Sequence, residues 1–194
     1  MIGWVPHVMS AFLDEVAGPG VRSDILVEAG FAPDQRFRLD AAYADVACRR
    51  ILDAACARLG VPEATAFALF APFFLARARD MFPAFFDSRP RVRDFLLHQP
   101  EVHNTLSAGL SNAQRGCVAA KFQVELAPGG VRVFYRSPNR LAGLYAAVAT
   151  RLGEELGQPT HVIFEAGGPD TAECVMLVTN EADTPVAVLV EQVA

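Results

Sequence analysis

The hydrophobic pattern of this 194-residue chain switches period, and that switch limits the fold more than any single motif does. Through the first two thirds, apolar residues recur every three or four positions, as on one face of a helix. From Cys117 the period is two: Val118, Ala120, Phe122, Val124 and Leu126 alternate with Lys121, Gln123 and Glu125. A Pro128-Gly129-Gly130 turn then leads into Val131, Val133 and Tyr135, so the alternation closes into a β-hairpin. Helical spacing returns with Leu141, Leu144, Tyr145, Val148 and Leu152, which predicts a helix over 138–156. Strands over 161–165 and 173–179 follow, separated by Gly167-Gly168-Pro169-Asp170. An N-terminal helical half followed by a small antiparallel sheet with one long helix is an α+β fold.

Within the helical half, the pattern predicts a first helix from about Trp4 to Val16, a break at Gly18-Pro19-Gly20, and a short helix from Ser23 to Ala29 ended by Gly30. A further helix over 43–59 ends at Gly60. Over 62–81, Phe67, Phe70, Ala71, Phe74, Ala78 and Met81 keep helical spacing, and Pro72 predicts a kink or break. Phe73, Phe82, Phe85 and Phe86 thicken the aromatic content. Each fully buried Phe contributes about 2–3 kcal/mol, so this cluster serves as core in the plain reading and as a wall around a flat apolar ligand in the functional one.

Hydrophobic residues make up 52% of the chain, which places it among folded globules, and its length fits a single domain spanning 1–194. A net charge of −5 with one lysine, Lys121, leaves no basic footprint for nucleic acid. Cys48, Cys56, Cys117 and Cys174 have neither zinc-ligand spacing nor the density of a disulfide scaffold. The opening residues lack the basic start of a secretory signal and no apolar run reaches membrane-spanning length, so a cytoplasmic protein is expected. No nucleophile–base pair, phosphate-binding glycine loop or acid–base carboxylate pair stands out, and no enzyme is expected.

His103 is the leading candidate for chemistry. Pro100 and Glu101 read as a first helical turn, which places His103 near the start of a helix on a stripe with Leu106 and Leu110. An imidazole on an apolar face is satisfied either by a backbone carbonyl, as a core residue, or by iron coordination through one nitrogen. His7, His98 and His161 read as surface or capping residues. The run Tyr135-Arg136-Ser137-Pro138-Asn139-Arg140 puts a phenol and a hydroxyl on one face at a strand end, beside guanidinium groups. That combination suits carboxylates or phosphates, and Ser137-Pro138 equally suits the start of a helix.

Taken together, Met1-Ile2-Gly3, the aromatic run Phe70-Ala71-Pro72-Phe73-Phe74, Glu101-Val102-His103, and Tyr135-x-Ser137 followed by an arginine and a long helix resemble the heme nitric-oxide/oxygen-binding (H-NOX) family. This is the sensor domain related to soluble guanylate cyclase, and the resemblance covers nearly the whole chain. It implies heme b, with His103 as the iron ligand and Tyr135 and Ser137 holding the propionates. The family's third propionate ligand is an arginine two residues after the serine; here that position is Asn139, and Arg140 follows it. Oxygen-binding members carry a distal tyrosine where this chain has Leu144, so the resemblance implies preference for nitric oxide or carbon monoxide over oxygen. Val5, Met9, Phe74 and Leu144 would form the apolar distal wall, with Tyr145 pointing elsewhere. Gas binding would weaken the bond between His103 and iron and signal to a separate partner, such as a histidine kinase or a cyclase. The alternative, motivated by Asn139, is a heme-free module of the same fold that binds another apolar ligand or a protein.

Overall fold

The structure, a computed structural model, describes residues 2–87 and 91–180. Met1 and the final part of the expected 1–194 domain lie outside the described residues.

Helix α1 spans Trp4–Glu28 and carries the expected break as a kink rather than a loop. Gly18 sits at φ 83°, ψ 161°, a pairing that a Cβ makes costly, and Pro19 restarts the helix where its missing N–H is not needed. Helix α2, Asp45–Leu59, ends on left-handed Gly60. Helix α3, Glu63–Met81, continues through Pro72, against the expected kink or break. Proline removes one backbone bond, but Phe67, Phe70, Ala71 and Leu75 are buried on either side and hold the helix through it. A short α4 occupies Pro83–Asp87.

Helix α5 is Val92–Leu106, so Pro100 lies inside it and His103 stands in its last turn, not its first. Val92 and Leu96 are buried, and Gln99 and His103 extend that same face by steps of three and four. Helix α6, Asn112–Ala119, opens with a capping box in which Ser111 and Gln114 bond reciprocally. Cys117 and Val118 are therefore helical, and the predicted strand begins only at Phe122. Strands β1 (Phe122–Ala127) and β2 (Gly130–Arg136) form the hairpin, α7 covers Ala142–Glu155, and β3 (Thr160–Ala166) and β4 (Glu173–Asn180) complete the chain as described.

The sheet has the order β1-β2-β4-β3 with antiparallel pairing between neighbours. Val131, Val133 and Tyr135 of β2 and Cys174, Met176 and Val178 of β4 are buried on one face, where α5 and α7 pack. Helix α7 also packs on α3, and Gly143 permits that approach, since a Cβ there would lie 2.9 Å from the Phe67 ring. Two apolar cores result, one among α1, α2 and α3 and one between the sheet and α5/α7. Among the described residues no single helix is long and apolar enough to cross a membrane.

Candidate functional site

Between the two cores lies a cavity of about 200 Å³ whose lining draws on both. Helix α7 runs along it. Leu141, Leu144, Tyr145, Val148, Ala149 and Leu152, the helical stripe legible in the sequence, all line it.

His103 enters this cavity from the end of α5. The other half-buried or exposed imidazoles of the helical half are satisfied: Nδ1 of His7 bonds the Phe37 carbonyl at 3.0 Å, and Nδ1 of His98 bonds that of Asp94 at 2.7 Å. Among the described residues neither ring nitrogen of His103 has a hydrogen-bond partner; its ring contact is Phe122, 5.1 Å between centroids. Burial, reinforced by the charge of Lys121, lowers its pKa to about 4. The ring is thus neutral at physiological pH and keeps a lone pair, the state a metal requires of an imidazole.

Phe122 organises this side. Its ring stacks on Tyr145 at 5.4 Å and meets Tyr135 edge-on at 5.2 Å. Tyr145, expected to point elsewhere, lines the cavity, and its buried hydroxyl has no hydrogen-bond partner among the described residues. Gln99, one turn before His103, likewise presents a buried Oε1 without a partner among the described residues. Burial raises the Tyr145 phenol well above its usual range and the Tyr135 phenol to about 12, so both remain protonated.

The turn after β2 separates the residues of the Tyr-x-Ser segment. The Tyr135 hydroxyl accepts the Leu141 backbone N–H at 2.8 Å and donates to Asn139 Oδ1, and both side chains line the cavity. Ser137 is buried in the same turn, accepting the Asn139 N–H at 3.4 Å, but is not part of the cavity lining and does not cap α7, which starts at Ala142. Arg140 lies outside the cavity. It has φ 53°, is exposed, and turns its guanidinium to the Asp170 carbonyl at 2.5 Å and carboxylate at 3.6 Å. Asn139 thus holds the cavity position that the resemblance gives to a cation, and Arg140 does not replace it.

The opposite wall is apolar. Val5, Phe74 and Leu144 line it with Trp4, which packs edge-on to Phe74 at 6.0 Å and Phe82 at 5.6 Å. Met9, expected here, lines a second cavity of about 380 Å³ among α1, α2 and α3; Leu141 and Leu144 face both cavities. That second space is the larger, but its lining offers only the Cys56 thiol as a polar group, so the chemistry belongs to the first. Gln99, Lys121, Asn139 and Tyr145 are the polar lining residues that the sequence did not single out as ligand contacts. The spacing of Gln99 four residues before His103 was the available signal for one of them.

A sequence profile of the family described as "Haem-NO-binding" matches residues 2–158. Among solved structures, the chain is similar to a point mutant of T. tengcongensis H-NOX, with a TM-score of 0.73 and 18% identity over 96% of this chain and all 100% of that one. It is similar also to an oxygen-binding H-NOX domain related to soluble guanylate cyclases, in its oxygen complex, with a TM-score of 0.70 and 16% identity over 93% of this chain and 95% of that one. A Cs H-NOX mutant carrying 4-cyano-L-phenylalanine gives 0.72 and 17% over 96% and 98%. No curated protein sequence matches. At these identities the structural likeness speaks for the fold, and the profile match, spanning well over half the chain, speaks for descent: this chain belongs to the haem-NO-binding, or H-NOX, family.

Proposed function

We propose that this chain is a heme-based gas sensor in which His103 ligates the iron of heme b and nitric oxide or carbon monoxide is taken in preference to oxygen. Family membership places the chain among sensor domains rather than enzymes. The observation that carries the proposal is His103 itself: a neutral, enclosed imidazole without a hydrogen-bond partner, facing an otherwise apolar cavity. A core histidine would have found a carbonyl, as His7 and His98 do.

The residues present fit a heme in donor type. One imidazole suits iron, the aromatic walls suit a porphyrin face, and the Lys121 ammonium suits a carboxylate, with the hydrogen-bonded Tyr135–Asn139 pair on the same cavity lining. About 200 Å³ is less than a macrocycle occupies, so the half-buried aromatic side chains of the wall, Phe74, Phe82 and Phe86, must swing outward to admit it. When bound, ferrous heme supplies an iron centre for a diatomic gas. The chain's own contribution to selectivity is what it withholds. Val5, Phe74 and Leu144 carry no donor, and the Tyr145 ring stacks on Phe122, whose other ring contacts include His103. A missing hydrogen bond of about 1 kcal/mol disfavours the polar ligand, oxygen. Because His103 lies in the last turn of α5, any change in the pull on its ring acts on a helix end, which frays more easily than a helix middle. In this reading the signal passes to a partner protein such as a histidine kinase or a cyclase, in a cytoplasmic setting.

The test is the absorption spectrum of the protein produced with heme supply, reduced, before and after nitric oxide. A Soret band that shifts with nitric oxide, and whose position changes in His103→Ala, is the expected result. A folded, colourless protein that takes up no added heme overturns it. That outcome would favour the second reading, a heme-free module, for which Asn139 in place of a cavity-lining arginine is the specific observation.

A further inference from the structure

Among the described residues that line the cavity, Lys121 is the sole charged one, and it is also the chain's only lysine. We infer that Lys121 is the cation that receives a carboxylate of the bound ligand, restoring the charge that Asn139 does not supply. The inference rests on the heme reading above and concerns how the propionate end is held.

Three observations support it. The Lys121 carbonyl accepts the Arg136 N–H at 2.9 Å, which continues the β1–β2 ladder one step beyond the Phe122–Tyr135 pair. Lys121 is therefore fixed by the backbone beside the strand end where Tyr135 bonds Asn139. Its side chain is only 12% exposed, and an ammonium so enclosed must be paired. Asp45 of α2 is its partner, in a hydrogen-bonded ion pair. The pair is oriented: Lys121 lines the cavity and Asp45 does not, so a ligand meets the positive end. An ammonium has three N–H donors, and Asp45 is the one hydrogen-bond partner of Nζ among the described residues, so donors remain for a carboxylate oxygen. The hydrogen-bonded Tyr135 phenol and Asn139 amide are neutral polar groups on the same cavity lining.

The rival account gives the Lys121–Asp45 pair a purely structural role, tying α2 to the start of β1. Titrating the full chain, prepared without heme, with heme and with heme dimethyl ester separates the two, because the ester keeps the macrocycle and iron but loses both negative charges. Asp45→Asn serves as the reference and Asp45→Asn/Lys121→Met as the variant, so that no buried carboxylate is stranded; Lys121→Arg is the conservative control. Loss of a charge-assisted bond in a dry site predicts about a tenfold to hundredfold weaker heme affinity in the double variant, an unchanged dimethyl ester affinity, and near-complete retention in Lys121→Arg. An equal loss for both porphyrins assigns Lys121 to structure and overturns the inference, as does no loss for either. If the unsubstituted chain binds neither porphyrin, the heme reading itself has failed, and this inference falls with it.

Discussion

The two walls of the cavity are built on opposite principles. Among the described residues, the nine lining ones up to Phe86, from α1, α3, α4 and their flanks, are apolar but for the indole nitrogen of Trp4. The remaining wall, from α5 through α7, contributes Gln99, His103, Lys121, Tyr135, Asn139 and Tyr145. One wall acts through area and shape, and substitutions there should be felt as stability and volume. The other acts through particular atoms, two of which, Tyr145 Oη and Gln99 Oε1, are buried without partners. Buried polar atoms without partners cost free energy, and a ligand that met these two would relieve that cost.

The sharpest test of this contrast is a substitution that removes binding without removing stability. His103→Gly deletes a ring with no hydrogen bond to lose, so the unfolding free energy of the heme-free chain should change by about 1 kcal/mol or less. Heme affinity should fall about a hundredfold or more, and added imidazole should restore the Soret band by filling the vacated space. Equal losses of stability and affinity would make His103 an ordinary core residue. Phe74→Ala on the opposite wall predicts the reverse, with about 3 kcal/mol lost in urea unfolding through its contacts with Trp4 and Phe70, while a weakened Soret band persists.

The pH dependence of the heme-free chain follows from the same wall. The folded His103 titrates near 4, below its ordinary 6.5, because burial first and the Lys121 charge second oppose protonation. Between those values the unfolded chain binds more protons than the folded one. This group's contribution to stability is therefore intact above about pH 6.5 and is lost as pH falls towards about 4, to a total of at most about 3 kcal/mol. In His103→Phe that slope should vanish, as measured by unfolding midpoints across the window; identical slopes in the two proteins would show that the ring is accessible to protons when folded. Asn139→Ala, smaller again, takes from Tyr135 the acceptor of its buried hydroxyl and should cost about 1–2 kcal/mol, whereas Asn139→Asp should lower the affinity for heme by adding a like charge beside its carboxylates.

What the sequence revealed and what it hid divide along lines of locality. The alternation from Phe122 to Leu126, the Pro128-Gly129 turn and the α7 stripe are statements about near neighbours, and they place the sheet, the hairpin and the long cavity face. The errors arise where a local signal was outvoted. Pro100 looked like a helix start because nothing local shows that Val92 and Leu96 are buried against the sheet and α7, which carries α5 through the proline. Helix α6 carries a capping signature in Ser111-x-x-Gln114, but the apolar alternation at its end, from Cys117, reads equally as strand over so short a span. Adjacent helical positions diverge by about 100°, which sets Tyr145 apart from Leu144 in a local reading. This cavity is nevertheless wide enough around α7 that Leu144 and Tyr145 both face it. Lys121 could not be read at all, since its partner Asp45 lies 76 residues away.

The smallest predicted effect bears on the residue for which local reading and structure differ most. Arg140 sits next to the position where a propionate-binding arginine is expected, and on sequence grounds it is the natural substitute. A one-residue offset should be correctable only if the turn rotates the side chain inward. The backbone instead takes φ 53° at Arg140, in a turn closed by its N–H to the Ser137 carbonyl at 3.2 Å, and the guanidinium goes to Asp170 at the surface. An exposed ion pair of this kind contributes about 0–1 kcal/mol. Arg140→Gly removes it but relieves a left-handed conformation that a side chain disfavours, so the two changes nearly cancel, leaving stability within about 0.5 kcal/mol of the starting value. Heme affinity should be unaffected. A tenfold loss of heme affinity in Arg140→Gly, with the dimethyl ester unaffected, would bring the guanidinium into the cavity upon binding, and would shift the cationic role from Lys121 to Arg140; an unchanged affinity leaves the polar wall with the single charge the structure gives it.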